Sequence, residues 1–246
     1  MHKEYTQTLV LIKPDALKNS LTGYLLSQLS EFHTGLWFCA LKVAHVNRLL
    51  ASEHYAEHKG KPFYEPILEY LMGKAHYPHE PEKRRVIAIV YQGISAVKKI
   101  REIVGNTDPH KAREERPGSI RSLGTLVPVK NEKGEIITMR IDNLIHASSS
   151  DVEAEREIKL WFKPNEIPPL LQPYPTRQAE KHYYFKDHQI FFEYQPESIC
   201  IYAPGDLAWD TDLKVLEAVS EGRKPIYNLE SAIAKYMINE GRGVNL

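Results

Sequence analysis

Short apolar runs separated by helical periodicities give the chain its first outline. "TLVLIK" (8–13) is apolar and β-rich and stops at Pro14, which predicts a buried strand. From Leu21 to Phe32, Leu25, Leu29 and Phe32 recur at helical spacing. "LWFCALKVAHV" (36–46) alternates in the manner of a strand. Two helical stretches follow at 49–59 and 63–73, the second closed by Gly73. "VIAIVYQG" (86–93) is the strongest core strand in the chain, and 95–105 predicts a helix with Ser95 as N-cap and Gly105 past its end.

Residues 106–122 have charge but no hydrophobic period, which predicts a loop. "TLVPVKNEKGEIITMRI" (125–141) predicts a hairpin turning on "NEKG". After "NLIH" comes a helix over 151–162, with Ala154, Ile158 and Trp161 on one face and a Ser150–Glu153 capping box. Five prolines in 163–175 then exclude helix and central strand, leaving a linker or surface strap. Strands at 182–194 and 197–203 and helices near 207–221 and 228–240 complete the pattern. The order β-α-β-α-α-β-α-loop-hairpin-β-α predicts an α+β fold with a split βαβ arrangement.

Composition removes several function classes. Lys plus Arg and Asp plus Glu number 32 each, so the whole chain carries no polyanion-binding charge. Cys39 and Cys200 are too far apart to suggest a disulfide framework or a zinc site. No apolar stretch reaches the length of a membrane span, and the N-terminal run is too short for a signal sequence. The expectation is a cytoplasmic protein with no membrane partner and no specific nucleic-acid partner.

Neither G-x-x-x-x-G-K-[ST] nor G-x-G-x-x-G occurs, so any phosphate must be held by side-chain cations. From Lys98 to Arg121 the chain has seven Lys or Arg against four acidic residues. Arg101 and Arg121 bracket Thr107 there, a set suited to phosphate oxygens, although a solvated loop would look alike. His146 ends a short strand ahead of Ala147 and three serines. Glu157 could orient its imidazole and Ser148 could relay the contact, making the ring a nucleophile; the alternative is a satisfied core histidine. His54, His58, His76 and His79 read as ordinary surface residues, and the aromatic "HYYF" and "IFFEY" as strand core.

"TLVLIKPDAL", "EHYAEHKGKPFYEPILEYL", "VIAIVYQG", "VGNTDPHKAREERPGSIR" and "NLIHASSSDVEAEREIKLWF" follow one another in an order that resembles the nucleoside diphosphate kinases, over roughly residues 5–165. The resemblance implies a ferredoxin-like (βαββαβ) antiparallel sheet covered by helices. It divides the chain into a kinase-like domain at 1–165, with a hairpin insertion at about 123–141, and a smaller α+β extension at 166–246. It implies that His146 takes the γ-phosphate of ATP or another nucleoside triphosphate and passes it to a diphosphate by a ping-pong route. Glu157 then orients the ring with Ser148. Lys13 and Tyr55 act near the transferring phosphate, and Arg101, Thr107 and Arg121 grip phosphates. Asn143 contacts the sugar and Phe63 stacks on the base. Mg²⁺ is expected on the nucleotide phosphates, with no metal site of the protein's own, and the assembly is expected to be a homo-oligomer. Ala147 and Ser149 stand where the family usually has glycine and aspartate, and the hairpin falls where the family places a wall of the base slot. These departures motivate a second reading, a catalytically weak nucleotide-binding regulatory or scaffold protein on the same fold.

Overall fold

Strand β1 (Tyr5–Ile12) is buried from Gln7 onward, as a run with no polar face must be if it lies mid-sheet. The computed structural model describes residues 5–238, and in it β1 pairs on one side with β3 (Val86–Ile94) and on the other with β6 (Ile145–Ala147). β2 (Trp37–Ala44) lies outside β3, so the sheet order is β2-β3-β1-β6, every pairing antiparallel. This is the ferredoxin-like order expected from the resemblance. Alternation along β1 serves two layers. Leu9 and Leu11 pack with Leu50 of α4 (Arg48–His54), Leu68 of α5 (Tyr64–Leu71) and Ile158 and Trp161 of α8 (Asp151–Trp161). Val10 and Ile12 pack with Leu25 of α2 (Thr22–Gln28) and Ile100 and Val104 of α6 (Ala96–Val104).

Several predicted elements differ in detail. The 21–32 helix breaks at Ser30, whose hydroxyl accepts from His33 N and starts the short α3 (Glu31–Thr34); Phe32, counted in the apolar stripe, is 95% exposed. The 49–59 helix ends at His54, with a 3₁₀ turn at Ala56–His58. Ser95 does not cap α6: its backbone is left-handed, and the Thr6 hydroxyl accepts from Ala96 N instead. The 106–122 loop contains a helix, α7 (Pro109–Glu115), and a 3₁₀ turn at Ile120–Leu123. The Asp108 carboxylate caps α7 and Pro109 starts it, but only Pro109 and Ala112 are buried, too few to leave a period. Ser150 caps α8 by accepting from Glu153 N, whereas the Glu153 carboxylate goes to Arg156, so half of the expected box forms. A short α1 (Pro14–Lys18) follows β1 directly.

The 125–141 hairpin is present as β4 (Thr125–Lys130) and β5 (Ile136–Asp142), a two-stranded sheet of its own. The proline-rich stretch makes two 3₁₀ turns, and Leu171 O accepts from the buried Gln7 Nε2 at 2.6 Å, so it straps the end of β1. Beyond it, β7 (Thr176–Gln178) pairs with β11 (Leu207–Trp209), which begins the stretch predicted as helix; α9 is Asp210–Ser220. The 182–194 strand is a hairpin of β8 (Tyr183–Lys186) and β9 (Gln189–Phe191), turning on left-handed Asp187 and His188, and β10 (Ile199–Tyr202) pairs with β8. The last helix is α10 (Leu229–Ile233) with a 3₁₀ turn to Met237; its predicted end at 239–240 lies outside the described residues. Most apolar residues of this segment form one cluster, but Trp209 and Ala234 pack in the core of Leu9 and Trp161, and Trp209 Nε1 donates to Phe162 O at 2.8 Å.

Candidate active site

Antiparallel register sets His146 directly opposite Leu11. Ile145 and Ala147 therefore pack into the α6 layer, while the His146 ring enters the layer of α4 and α8, where a core side chain would otherwise sit. Its Nε2 lies 2.9 Å from Glu157 Oε2. The Ser148 hydroxyl donates to the same oxygen at 2.6 Å and accepts from Leu9 N at 3.1 Å, which fixes the carboxylate from the sheet. Burial would raise the Glu157 carboxyl, but the His146 ring, His54 and the Ser148 hydroxyl together hold it below the ordinary carboxylate range. An ionised carboxylate only accepts, so in the neutral imidazole of His146 the proton belongs on Nε2 and the lone pair on Nδ1.

The backbone leading to the histidine is held under strain. Leu144 has φ +69°, rare for a leucine; its N–H donates to the buried Asp15 carboxylate, and its carbonyl accepts from Lys13 N, both at 2.9 Å. Lys13 follows β1, and its ammonium meets Asn143 Oδ1 at 2.6 Å and lies 4.8 Å from the centre of the Tyr70 ring. Burial lowers the Lys13 amine to about 7, with Arg121 acting the same way and Asp15 opposing.

Arg121 is locked by carbonyls. It donates to Gly105 O at 3.1 Å, to the Thr107 hydroxyl at 3.3 Å and twice to Ile145 O. Burial, reinforced by Arg101, lowers its guanidinium to about 10. Gly105 lets the chain pass close to Ser119: at φ +84° a Cβ there would stand 2.4 Å from Ser119 Oγ. Asn143 Nδ2 donates to Thr107 O at 2.9 Å, joining the loop to β6.

One cleft of about 340 Å³ is bordered by nine of the ten candidate residues: Lys13, Tyr55, Phe63, Arg101, Thr107, Arg121, Asn143, His146 and Glu157. Ser148 lies behind Glu157, fully buried. Met139, Arg140 and Ile141 of the hairpin line the same cleft, so the insertion is part of the site.

Five residues in or against the cleft escaped the sequence reading or were misjudged by it. His54 is not a surface residue: it is 2% exposed, its ring meets His146 edge-on with centroids 4.5 Å apart, and Trp161 Nε1 donates to its Nδ1 at 3.3 Å. Burial keeps that ring neutral. His76 is buried too, with Nε2 2.7 Å from the Asp142 carboxylate that Arg140 grips with two nitrogens. His58 is half-buried, stacked on Tyr55 and edge-on to Phe63; His79 is exposed as expected. Asp15 and His54 sit inside the quoted "IKPD" and "EHY", the one signal that could have found them; Arg140 and His76 have none.

A family model described as nucleoside diphosphate kinase matches residues 6–167. The chain belongs to that family. Among curated nucleoside diphosphate kinases, the chain is 40% identical to one from Pyrococcus furiosus over 164 residues, 67% of this chain and 87% of that one. To one from Thermococcus kodakarensis it is 38% identical over 165 residues, 67% of this chain and 81% of that one. A Borrelia burgdorferi nucleoside diphosphate kinase solved as a transition-state mimic with vanadate and ADP is 28% identical, with a TM-score of 0.53 over 69% of this chain and 94% of that one. An Aquifex aeolicus nucleoside diphosphate kinase is 31% identical, with a TM-score of 0.53, covering 67% of this chain and all of that one. Every candidate residue of this nucleoside diphosphate kinase family member, hairpin included, lies within the matched span; β7 to α10 lie beyond it.

Proposed function

We propose that the protein transfers the γ-phosphate of a nucleoside triphosphate, typically ATP, to a nucleoside diphosphate through phospho-His146. The observation that carries this reading is the 2.9 Å contact of His146 Nε2 with the Glu157 carboxylate; a proton held there leaves Nδ1 as the nucleophile. Nδ1 attacks the γ-phosphorus in line; the N–P bond forms as the bond to the β-phosphate oxygen breaks, and the diphosphate leaves. Positive charge growing on the ring is met by Glu157 through Nε2–H. Lys13, Arg101 and Arg121, with the Tyr55 and Thr107 hydroxyls, face charge on the transferring phosphoryl group. A second diphosphate then attacks the phosphohistidine from the vacated position. ADP and vanadate on the Borrelia kinase support this chemistry.

Mg²⁺ enters as part of the substrate, on its phosphates. Asp15 and Glu157 are already engaged by Leu144 N and by His146 with Ser148, so the cleft supplies cations where an octahedral oxygen shell would be needed. Among the described residues His54, His146 and Glu157 bring ligand atoms within 4.8 Å of one another, but that nitrogen-rich set does not suit Mg²⁺. Phe63 at the cleft gives a base a face to stack on, and Asn143 reaches toward the sugar. A homo-oligomer is supported by β2, a sheet edge with Trp37, Phe38, Leu41 and Val43 exposed along it. No helix among the described residues is long and apolar enough to cross a membrane; a cytoplasmic site of action is further supported by the free thiols of Cys39 and Cys200.

Incubation with γ-labelled ATP and Mg²⁺, followed by a GDP chase, tests the proposal. Acid-labile, base-stable label on wild type but not on His146→Gln, discharged to GTP, is the expected result. Nucleotide bound without label would favour a regulatory protein instead.

A further inference from the structure

Arg156 stands next to Glu157 on α8 and does more than balance its neighbours' charge. Its Nε donates to Glu153 on the same helix, but Nη1 reaches across to Glu53 O at 3.1 Å and Nη2 to His54 O at 3.3 Å. Those carbonyls belong to the last turn of α4, where no helical N–H remains to receive them. Nη2 also lies 3.9 Å from Glu157 Oε1. One guanidinium thus ties the carboxylate that orients His146 to the helix end that carries His54 and Tyr55.

The C-terminal segment grips the same helix at both ends. At its start, the Asn47 side chain caps α4 by accepting from Leu50 N at 2.8 Å and donates to Met237 O at 3.1 Å. At its end, the Ser231 hydroxyl of α10 donates to the Glu53 carboxylate. A path of direct contacts therefore runs from Ser231 through Glu53 and Arg156 to Glu157 and His54, the two groups that hold the His146 ring.

We propose that Arg156 is a positioning residue for His146 and that the C-terminal segment fixes its seat through Ser231 and Glu53. The proposal rests on the phosphohistidine reading above. Arg156 does not line the nucleotide cleft, so its effect falls on transfer and not on binding. Displacing the ring, or the edge-on His54 beside it, moves Nδ1 off the line of attack, and a misplacement of about an ångström is costly.

The test uses Arg156→Met, Arg156→Lys and Ser231→Ala in the full chain, with two readouts. In single-turnover phosphorylation by ATP, Arg156→Met slows label transfer roughly tenfold while nucleotide affinity stays within about twofold; lysine restores part of the rate. Ser231→Ala slows transfer in the same direction and adds nothing in the Arg156→Met background, because the two act on one path. In nucleotide-free protein, ¹⁵N NMR shows His146 as the single Nε2–H tautomer in wild type and Arg156→Lys, and as a mixture in Arg156→Met. A folded Arg156→Met with wild-type transfer and an unchanged ring signal overturns the positioning role. Additive losses in the double variant overturn the link to Ser231. If wild type takes no phosphate, the kinase reading fails by itself, and the ring signal still decides the role of Arg156.

Discussion

Glu157 Oε2 meets His146 Nε2 at 2.9 Å from a position 4% exposed to solvent, with Ser148 pressed against the same oxygen. The imidazole is thus oriented from inside the core, and His146 borders the cleft. An amide in place of that carboxylate can satisfy Nε2 only by turning its NH₂ elsewhere, and Nε2–H loses its charged partner. Glu157→Gln is expected to slow phosphohistidine formation roughly a hundredfold with nucleotide affinity unchanged. Rapid-quench kinetics with labelled ATP measure this directly; a wild-type rate would remove Glu157 from the mechanism.

Lys13 gives the site a pH dependence of known sign. Free, it titrates at about 7, because burial opposes its charge. A bound triphosphate favours the ammonium, so nucleotide binding takes up a proton, and affinity falls as pH rises from about 7 toward 9. Calorimetry at pH 8 in buffers of different ionisation enthalpy should show that uptake. Lys13→Met should abolish it; buffer-independent heats in wild type would contradict the assignment.

Phe63 stands at the cleft with Pro66 and Ile67, offering an apolar face and no hydrogen-bond code for a base. Phe63→Ala should weaken purine and pyrimidine nucleotides alike, by roughly tenfold. Unequal losses across the bases, seen in parallel titrations, would shift selectivity onto this ring.

Trp209 has no exposed surface, donates to Phe162 O and meets the Tyr174 ring edge-on. Trp209→Ala should cost about 3–5 kcal/mol. Calorimetry should show one transition moving down as a whole, since this side chain packs in the core of Leu9 and Trp161. Two separate transitions, only one of them shifted, would mean that the extension unfolds as its own unit.

Reading the chain by pattern worked where burial was continuous. β1 and β3 are legible because each lies mid-sheet, and α8 because its apolar stripe faces the core. Pattern failed where few side chains are buried, as in α7, or where strand and helix abut, as at Leu207–Trp209 and α9. The candidate site was legible as motifs, each carrying its polar residues in one short stretch. What lay outside was contributed by distant segments: His76 finds Asp142 across 66 positions, and Ser231 finds Glu53 across 178. His54 was misjudged for a different reason. In "EHYAEH" it looks like any polar helix residue, and only the tertiary packing of Trp161 and His146 against it makes it internal.

Leu9 near the beginning of the chain and Ala234 near its end share one core. A growing chain leaving the ribosome has the candidate phosphate-gripping residues by position 121 and His146 by 146, yet not Trp209 and Ala234, which pack into the layer behind them. N-terminal segments ordinarily fold as units during synthesis. Here the unit that carries the candidate site still lacks Trp209 and Ala234 when Glu157 has been made, so the layer behind His146 is completed only after those later residues arrive.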